Sequence, residues 1–407
     1  MPRDALFVCL SSVDWDFNRQ NPHEMALAFG ARGHRVLFVE NTGVRRVVLR
    51  DAPRLWRRLQ NWWVARGGLS HPSEGVDVLS PLLFPFPYAR LVLWFNQRWL
   101  VSSIRRWLKH KSGPIIVVTF LPTPLACEVI KSIAPDLVVY YCIDRFAESS
   151  PAARKIVTSE RDLLQQADLV LVTSPALYEM ASEIRKEVHL LPSGVRIDAF
   201  ERARQTQAQR RARHPVLRPI VGFIGSLRHA IDISLLTEIA DLAPDLQFVI
   251  GGPRFVDLEQ LSRRPNVRLL EPVPHDDAID HMVRFDVGVL PYSLNKFTAG
   301  IMPIKLKEYL AAGLPVVSTP LPAVRSFAEQ YPGSVSFACG AREFVAELRK
   351  AIADVHPEAV RYRVAIARKY DWTAQMARMM ELIDKALDGM QSQSPSPSPM
   401  PESDRTP

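Results

Sequence analysis

The fold of this chain is decided by one stretch of its sequence, Pro303–Ser318, which reads PIKLKEYLAAGLPVVS. Proline suits the first turn of a helix, and Gly313 is the kind of residue that ends one. The β-branched run from Val316 then predicts a strand. Another strand ends near Pro291, so the helix should begin at the carboxyl edge of a parallel sheet. Free backbone N–H groups at such a helix start favour anion binding.

Apolar runs and helical patterns alternate along the whole 407-residue chain, which predicts an α/β protein with two doubly wound, Rossmann-like domains facing a cleft. We predict strands over Ala5–Ser11, Arg35–Glu40, Val76–Leu79, Ile115–Phe120, Val138–Ile143, Leu169–Thr173, His189–Pro192, Ile220–Gly225, Gln247–Gly251, Val267–Leu270, Val287–Pro291, Val316–Ser318 and Val335–Phe337. The predicted domains are 1–195 and 219–361, joined by a linker over 196–218 that is rich in Gln and Arg. A C-terminal helix over 362–390 should pack back toward the first domain, and the Ser/Pro tail over 391–407 should be disordered.

The four cysteines stand far apart without metal-binding spacing, which predicts buried free thiols in a reducing compartment. The apolar run Ala5–Leu10 is short and is followed by acidic residues, so it predicts a strand and not a signal peptide. Pro and charged residues interrupt every longer apolar stretch. We therefore expect a cytoplasmic protein that does not span a membrane.

Lys305 and Glu308 lie one helical turn apart at the start of the predicted helix, on one face. Lys305 could neutralise a diphosphate, and Glu308 could accept hydrogen bonds from ribose hydroxyls. The alternative is an ordinary Lys–Glu pair on a helix surface. The spacing alone favours that alternative, because such pairs are common.

The same segment carries a more specific pattern, formed by Pro303, Lys305, Glu308, Tyr309, Leu310, Ala311, Ala312, Gly313, Pro315, Val316 and Val317. This pattern resembles the donor-binding signature of GT-B glycosyltransferases, especially the family-4-like group of polysaccharide-assembly enzymes. Further matching pieces follow in the family's order at Gly33–Val36, Ala167–Val170, Pro192–Val195, Gly222–Ser226 and Phe285–Gly288. The resemblance implies a GT-B enzyme that transfers a sugar from a UDP- or GDP-sugar to a lipid-linked or saccharide acceptor in cell-surface polysaccharide synthesis.

The resemblance also implies the residues that would bind the nucleotide sugar, which are Gly225, Ser226, Arg228, Gly252, His275, Ala299, Gly300, Ile301, Lys305 and Glu308. Lys305 and the amides of Ala299–Ile301 would stabilise the departing diphosphate. Two positions depart from the family's pattern. Gly300 stands where a sugar-contacting glutamate is often found, and Ser226 stands where arginine is common. For His275, a solvated side chain beside an Asp276 helix cap is an equal alternative.

Two polar segments of the first domain follow strands and are expected to face the cleft. Ser12, Asp14 and Trp15 would contact the acceptor. Asp14 and Asp16 formally spell a metal-binding DxD, but GT-B sites neutralise phosphate with helix ends and cationic side chains, so we expect no metal and no cofactor. Asp144 could deprotonate the acceptor hydroxyl, pair with Arg145 or cap a helix. If configuration is retained, the donor phosphate itself could take the proton.

A basic, tryptophan-rich segment spans residues 45–111, with 13 Lys and Arg against 3 acidic residues and six of the chain's 8 tryptophans. Two amphipathic helices are expected there, one over 54–63 and one over 93–107, the second with Phe95, Arg98 and Trp99 on its outer face. Tryptophan beside arginine suits an anionic membrane surface, whereas packing on the protein's own sheet is the alternative. No nucleic-acid motif accompanies the segment. Rival functions are a nucleotide-sugar epimerase on the same fold and an inactive membrane-associated adaptor.

Overall fold

The computed structural model describes residues 5–16, 19–42, 68–84, 88–148, 153–213, 218–354 and 356–393. Its strands are β1 Leu6–Leu10, β2 Arg35–Val39, β3 Leu69–Ser73, β4 Val76–Leu79, β5 Ile115–Thr119, β6 Leu137–Cys142, β7 Leu169–Val172, β8 His189–Leu190, β9 Ile220–Ile224, β10 Gln247–Gly251, β11 Val267–Leu270, β12 Val287–Leu290, β13 Val316–Ser318 and β14 Ser336–Phe337. Its α-helices are α1 Asn21–Ala31, α2 Arg90–Leu108, α3 Pro124–Ile133, α4 Val157–Gln166, α5 Pro175–Ser182, α6 Ile197–Arg213, α7 Ile233–Leu242, α8 Glu259–Ser262, α9 His275–Met282, α10 Lys296–Ala299, α11 Ile304–Ala311, α12 Pro322–Gln330, α13 Ala341–Ala353, α14 Pro357–Arg368 and α15 Trp372–Gln393. Short 3₁₀ turns cover Phe146–Glu148 and Ala153–Ile156.

The described strands form two sheets, one for each half of the chain. The first runs in the order β3-β4-β2-β1-β5-β6-β7-β8, and the second in the order β11-β10-β9-β12-β13-β14. Neighbouring strands are parallel except for β3 and β4, which pair antiparallel at an edge. Strand order reverses between β1 and β5 and between β9 and β12. Parallel sheets of this kind open a crevice for ligands at the carboxyl ends of those strands.

The sequence-based prediction of two doubly wound parallel sheets is confirmed. Every predicted strand is found, with its ends shifted by at most two residues. The agreement follows from burial, because helices cover both faces and leave continuous apolar runs such as fully buried β1. The strand Leu69–Ser73 was missed, since its exposed edge carries polar residues and proline in place of an apolar pattern.

The connection between the sheets is not the unstructured linker that the sequence predicted over 196–218. Residues Ile197–Arg213 form helix α6. Phe200 is fully buried and packs, with Ile197 and Ala203, in the core of the second domain. These three residues have helical spacing that the surrounding Arg and Gln residues obscure. The chain therefore crosses between the domains within a few residues before Ile197.

The predicted single C-terminal helix is two helices. The first, α14, places Ile366 and Ala367 in the second domain's core. The second, α15, places Trp372, Met376 and Met379 in the core of the first domain. The expected return to the first domain is thus confirmed, but the chain makes it only after Arg368. The tail predicted to be disordered lies outside the described residues from position 394 onward.

The two crossings between the domains lie side by side. The Val195 amide donates to the Tyr370 carbonyl at 2.8 Å, and the Trp372 amide donates to the Val195 carbonyl at 3.0 Å. Gly194 leaves no room for a side chain, because a Cβ there would lie 1.9 Å from the Trp372 ring. The two crossings are therefore joined by main-chain hydrogen bonds and close packing.

The cysteine prediction is partly right. Cys9 and Cys142 are buried free thiols in strands, and burial raises the pKa of each to about 12. Cys127 lies half-buried in a helix, and Cys339 is exposed, so the expectation of burial is wrong for Cys339. That residue follows the short last strand, at the second sheet's edge. In the part of the chain that the structure describes, no helix is long and apolar enough to cross a membrane.

Candidate functional site

Helix α11 begins directly after Pro303 at the carboxyl edge of the second sheet. Its inner face, including Leu306 and Tyr309, is buried in the domain core. The Ile224 amide donates to the Tyr309 hydroxyl at 3.3 Å, and a Cβ on Gly288 would lie only 2.4 Å from the Tyr309 ring. The helix is therefore fixed against strands β9 and β12, and its amino-terminal end points into the crevice where strand order reverses.

Lys305 and Glu308 form an ion pair at the start of this helix. The Lys305 ammonium donates to a Glu308 carboxylate oxygen at 2.5 Å, and their side chains are 16% and 6% exposed. The alternative of an ordinary surface pair is wrong, since both groups are largely withdrawn from water. Burying opposite charges costs desolvation free energy that their attraction only partly offsets. The pair therefore adds little net stability, and its expected role in ligand binding stays a prediction.

The turns that follow β9 and β10 meet beside Lys305. Gly252 has a φ of +129°, and a Cβ there would lie 2.1 Å from the Gly225 carbonyl oxygen. The Gly225 amide donates to the Gly251 carbonyl at 2.9 Å, and the Lys305 Cε lies 3.8 Å from the Cβ position of Gly225. The structure thus brings Gly225, Gly252, Lys305 and Glu308 together at one point, as the sequence predicted.

Gly222, by contrast, has a packing role. It lies within β9, where a Cβ would come 2.0 Å from the ring of Phe285. An aromatic ring fills the space that the glycine leaves.

Ser226 and Arg228 follow the same turn. The intervening Leu227 amide donates to the Pro253 carbonyl at 2.8 Å, which holds this loop beside the turn after β10. The Arg228 guanidinium lies 4.5 Å over the ring of Phe255 at an exposed position. Arg228 is more exposed to solvent than Lys305 and therefore lies at the rim of the crevice.

The backbone between 295 and 301 differs from the open loop that the sequence predicted. Residues Lys296–Ala299 form a short helix, capped by the Asn295 side chain, which accepts from the Thr298 amide at 3.0 Å. The Ala299 amide donates to the Asn295 carbonyl and the Ile301 amide to the Thr298 carbonyl, each at 3.0 Å. Because these amides are already bonded, their expected role with Gly300 in diphosphate binding is wrong for this conformation.

Helix α9 begins at His275. The position before its first residue is Pro274, so Asp276 lies within the first turn and is not the helix cap. The side chains of His275 and Asp276 lie outside the described part of the structure. The prediction that His275 lies beside the nucleobase therefore stays a prediction.

The opposite wall of the cleft is the loop after β1, which carries Ser12, Asp14 and Trp15. The Trp15 amide donates to the Glu40 carboxylate at 2.9 Å, and Asn41 donates to the Ser12 carbonyl at 2.7 Å. Glu40 is buried directly after β2. Its role as a support for this loop was not predicted, since the sequence showed it only as the last residue of a strand.

His23 also supports this loop. Its Nδ1 accepts the Gln20 amide at 3.1 Å, so Nε2 carries the hydrogen and faces the carbonyls of Asp14 and Trp15 at 3.1 and 3.2 Å. Burial lowers the pKa of His23, and the nearby Arg19 lowers it further. The lowered pKa favours a neutral imidazole, and the bond from the Gln20 amide requires a free lone pair on Nδ1. The acceptor-side loop is thus held by a histidine in a defined tautomer.

Asp144 follows β6 and is exposed at the same edge of the first sheet. Its carboxylate accepts the Arg145 amide at 2.8 Å, at the start of the turn Phe146–Glu148. The role of Asp144 as a base, as a partner of Arg145 or as a helix cap therefore stays a prediction. The Arg145 side chain extends across the cleft to Gly300, whose Cβ position lies 3.4 Å from the arginine Cδ.

Lys307 lies on the other side of α11 and was not predicted as a functional residue. Its ammonium donates to the Ser193 carbonyl at 3.0 Å and lies 4.2 Å from the centre of the Tyr370 ring. Asn21 of the first domain donates to the Ser193 hydroxyl at 2.7 Å. Burial lowers the pKa of Lys307 to about 7. The helix that carries Lys305 and Glu308 is therefore tied to both domain crossings.

The basic, tryptophan-rich segment is described only in part. Helix α2 buries Leu100, Ile104 and Trp107 against the first sheet, as the alternative of self-packing predicted for that face. Its outer side exposes Leu91, Trp94 and Phe95, which are 76%, 49% and 53% exposed. Trp99, expected on the outer face, is half-buried against the core. The helix expected over 54–63 lies outside the described residues.

Comparison with known proteins gives consistent matches. Residues 218–355 match the family described as glycosyl transferases group 1. The chain is 28% identical over 266 residues to the "Putative teichuronic acid biosynthesis glycosyltransferase TuaH" of Bacillus subtilis (strain 168). That alignment covers 60% of this chain and 66% of the relative.

Solved structures match nearly the whole chain. Sucrose-phosphate synthase from Thermosynechococcus elongatus superposes with a TM-score of 0.69 at 15% identity, over 95% of this chain and 100% of that one. Anabaena Alr3699/HepE in complex with UDP-glucose gives a TM-score of 0.63 at 14% identity, over 94% and 99%. Residues 218–355 are therefore similar to group 1 glycosyl transferases, and the chain has the two-domain GT-B fold that its sequence predicted.

Proposed function

We propose that this chain takes a sugar from a UDP- or GDP-sugar bound at the second domain and transfers it to an acceptor hydroxyl bound at the first. The observation that carries the proposal is the buried Lys305–Glu308 pair at the start of α11. The pair opens onto the cleft between the carboxyl edges of two parallel sheets, where GT-B and other doubly wound proteins bind ligands. The similarity of residues 218–355 to group 1 glycosyl transferases supports sugar transfer as the chemistry of that cleft.

On the donor side, the ligand would separate the two members of the ion pair. Glu308 would accept hydrogen bonds from the ribose hydroxyls, and Lys305 would turn to the diphosphate. The first backbone amides of α11 have no partner within their own helix, because an α-helix leaves its first N–H groups unbonded. With the positive end of the helix dipole they would add to the anion site. The closely packed turns at Gly225 and Gly252 would let the diphosphate approach the backbone.

Transfer breaks the bond between the anomeric carbon and the diphosphate oxygen, and the electron pair stays on that oxygen. The acceptor oxygen bonds to the anomeric carbon, and its proton leaves to a base. Asp144 is our candidate for that base, because its exposed carboxylate stands at the first-domain edge of the cleft. Lys305 would stabilise the charge that develops on the departing diphosphate. We expect neither a metal nor a cofactor in this step.

The acceptor that we propose is a lipid-linked saccharide of cell-surface polysaccharide synthesis. The similarity to TuaH, whose name refers to teichuronic acid biosynthesis, supports this class of process. Anabaena Alr3699/HepE, which shares the fold, has been solved with UDP-glucose and supports the donor class. Asp14 and Trp15, on the loop held by Glu40, would contact the acceptor.

The exposed side of α2 supports a location at the inner face of the membrane. Leu91, Trp94, Phe95, Arg98 and Arg105 fall at spacings of three, four and seven residues, so they form one stripe along the helix. The Trp94 and Phe95 rings contact edge to face at 4.8 Å, and the Arg98 guanidinium lies 5.2 Å from the Trp94 ring. Aromatic rings beside arginines match the headgroup layer of an anionic bilayer.

Vesicle sedimentation tests this location. The protein should bind vesicles of phosphatidylglycerol and phosphatidylcholine, and it should not bind pure phosphatidylcholine. Replacing Trp94 and Phe95 together with Ser should weaken binding about tenfold or more, because it removes most of the exposed apolar area. The matched control replaces exposed Tyr178 and Tyr362, on other faces, with Ser. Equal binding by all three proteins would exclude this surface.

A donor panel tests the function itself. Thermal shift and hydrolysis are measured with UDP-, GDP- and dTDP-sugars, and the donor that responds is then supplied with lipid-linked acceptors. We expect one nucleotide to raise the melting temperature and its sugar to be transferred. Stabilisation without any turnover would favour the inactive adaptor. Interconversion of free nucleotide sugars would favour the epimerase.

A further inference from the structure

Gly300 has no conformational need to be glycine. Its φ of −86° is open to any residue, and the position ends the short helix α10. A Cβ built there would meet Arg145 first, at 3.4 Å from Cδ and 3.6 Å from Nε. These two residues belong to opposite domains and are 155 positions apart in the chain. The small residue therefore leaves room for an arginine that reaches across the cleft.

The charge balance of the donor site calls for such a residue. Glu308 already neutralises Lys305, since the two are paired at 2.5 Å. A diphosphate brings more negative charge than this neutral pair can compensate. Arg228, the nearest arginine after the β9 turn, is exposed and stacks on Phe255 at the rim. The Arg145 side chain is half-buried and lies beside Gly300, and Gly300 precedes Pro303, the residue before α11, by three positions in the chain.

Taking the proposed function as its basis, we propose that Arg145 binds the donor's diphosphate from the first domain and that Gly300 admits it. A guanidinium suits this task, because its fork of N–H donors matches phosphate oxygens in pairs. Arg145 follows the end of β6 and donates from Nη2 to the Ala176 carbonyl at 3.4 Å, near the start of α5. One end of its guanidinium is therefore held by the first domain, while Cδ and Nε lie against Gly300 of the second.

Two consequences follow from an arginine that spans the cleft. Donor binding would join the domains through Arg145, which favours the closed form and excludes water from the reaction. When the bond to the sugar breaks, charge increases on the diphosphate, and a guanidinium in contact with it would lower the barrier. Arg145 would then affect both donor affinity and the rate of transfer.

The test is a calorimetric titration of UDP and of GDP, without acceptor, into the whole chain and its variants. Arg145→Ala should lower the affinity for the nucleoside diphosphate that wild type binds by about tenfold or more, and Arg145→Lys should lower it by less. Uridine and guanosine, which lack phosphate, should bind all variants alike. The control is Arg161→Ala, an exposed arginine on helix α4 of the same domain, which should bind like wild type.

Position 300 provides the second arm. Gly300→Glu would place a carboxylate against the Arg145 guanidinium and should lower the nucleoside diphosphate affinity about as much as Arg145→Ala does. The neutral Gly300→Gln should lower that affinity by less. The double variant Arg145→Ala with Gly300→Gln should bind no more weakly than Arg145→Ala alone, because a neutral side chain at position 300 acts only on the Arg145 interaction that is already lost.

The outcomes separate this inference from the proposed function. If wild type binds neither UDP nor GDP, both fail. If wild type binds one of them and Arg145→Ala binds it equally well, only the inference fails. A rise in acceptor KM with unchanged nucleoside diphosphate affinity would also overturn it, since Arg145 would then contact a phosphate of the acceptor.

Discussion

The two walls of the cleft are built in different ways. On the second domain, the turns at Gly225 and Gly252 touch through their backbones, and α11 is fixed by the contact of Tyr309 with Gly288. On the first domain, side chains hold the loop that carries Asp14 and Trp15, above all Glu40 and His23. A backbone-built wall keeps its shape only if certain glycines are retained. A side-chain-built wall can change shape when one support is replaced.

This difference suits the two partners that we propose. Nucleotide sugars share a ribose and a diphosphate, so a fixed backbone surface can serve all of them. Acceptors vary more, and a loop held by replaceable side chains can be adapted without disturbing the donor site. The predictions below test whether the two walls can be altered independently.

The largest effect should come from Gly252→Ala, because the new Cβ would lie 2.1 Å from the Gly225 carbonyl and φ is +129°. We expect a loss of about 3 kcal/mol or more in the free energy of unfolding, together with loss of nucleotide binding. Gly33→Ala is the matched control. It also has a positive φ, of +87°, but open space around its Cβ, so strain alone should cost about 1 kcal/mol. Urea denaturation measures the free energy of unfolding of both variants. Equal losses in the two would contradict the close contact between Gly252 and the Gly225 carbonyl.

Lys307, where α11 meets the domain crossings, should give a pH-dependent effect. Its pKa is lowered by burial to about 7, so at higher pH the unfolded chain holds a proton that the folded chain lacks. Stability should therefore rise with pH from about 7 toward the ordinary lysine pKa of about 10.4. Between pH 7 and 9, the free energy of unfolding of wild type relative to Lys307→Met should increase by about 2 kcal/mol. A constant difference across that range would show that Lys307 stays charged.

Glu40 should affect the acceptor wall alone. Glu40→Ala removes the acceptor of the Trp15 amide hydrogen bond, which we expect to loosen the loop and raise the acceptor KM about tenfold. Nucleotide affinity, measured by calorimetry, should not change. Glu40→Gln keeps an oxygen at that place and should recover most of the loss. If Glu40→Ala weakened the binding of the donor and the binding of the acceptor equally, the two walls would not be independent.

His23 should give the smallest effect. Its folded pKa is lowered by burial, so the stability that its neutral form contributes is complete above the unfolded pKa of about 6.5 and is lost as pH falls toward the folded pKa. Protonation would place a hydrogen on Nδ1 against the Gln20 amide. We expect a change of about 1 kcal/mol or less, seen as a steeper fall in melting temperature below pH 6.5 than in His23→Gln. Parallel curves for the two proteins would contradict it.

The sequence predicted the second wall better than the first, for a physical reason. Strand ends and a helix-starting proline are local patterns, so the position of α11 could be predicted from neighbouring residues, whereas the roles of Lys305 and Glu308 were implied by the resemblance to GT-B glycosyltransferases. Glu40 supports a loop 25 positions earlier, and Arg145 reaches a residue 155 positions later. Such contacts depend on how the sheets are assembled. Helix α6 was missed because its buried positions are separated by charged residues.

The most direct test of the central claim is calorimetric titration of UDP and GDP into wild type and Glu308→Ala. The exposed Glu238→Ala, on helix α7 of the same domain, is the control. We predict that wild type and Glu238→Ala bind one of the two nucleotides with equal affinity and that Glu308→Ala gives no measurable binding, because the acceptor of the ribose hydroxyls is lost. Unchanged affinity in Glu308→Ala would contradict the assignment of this cleft to a nucleotide sugar.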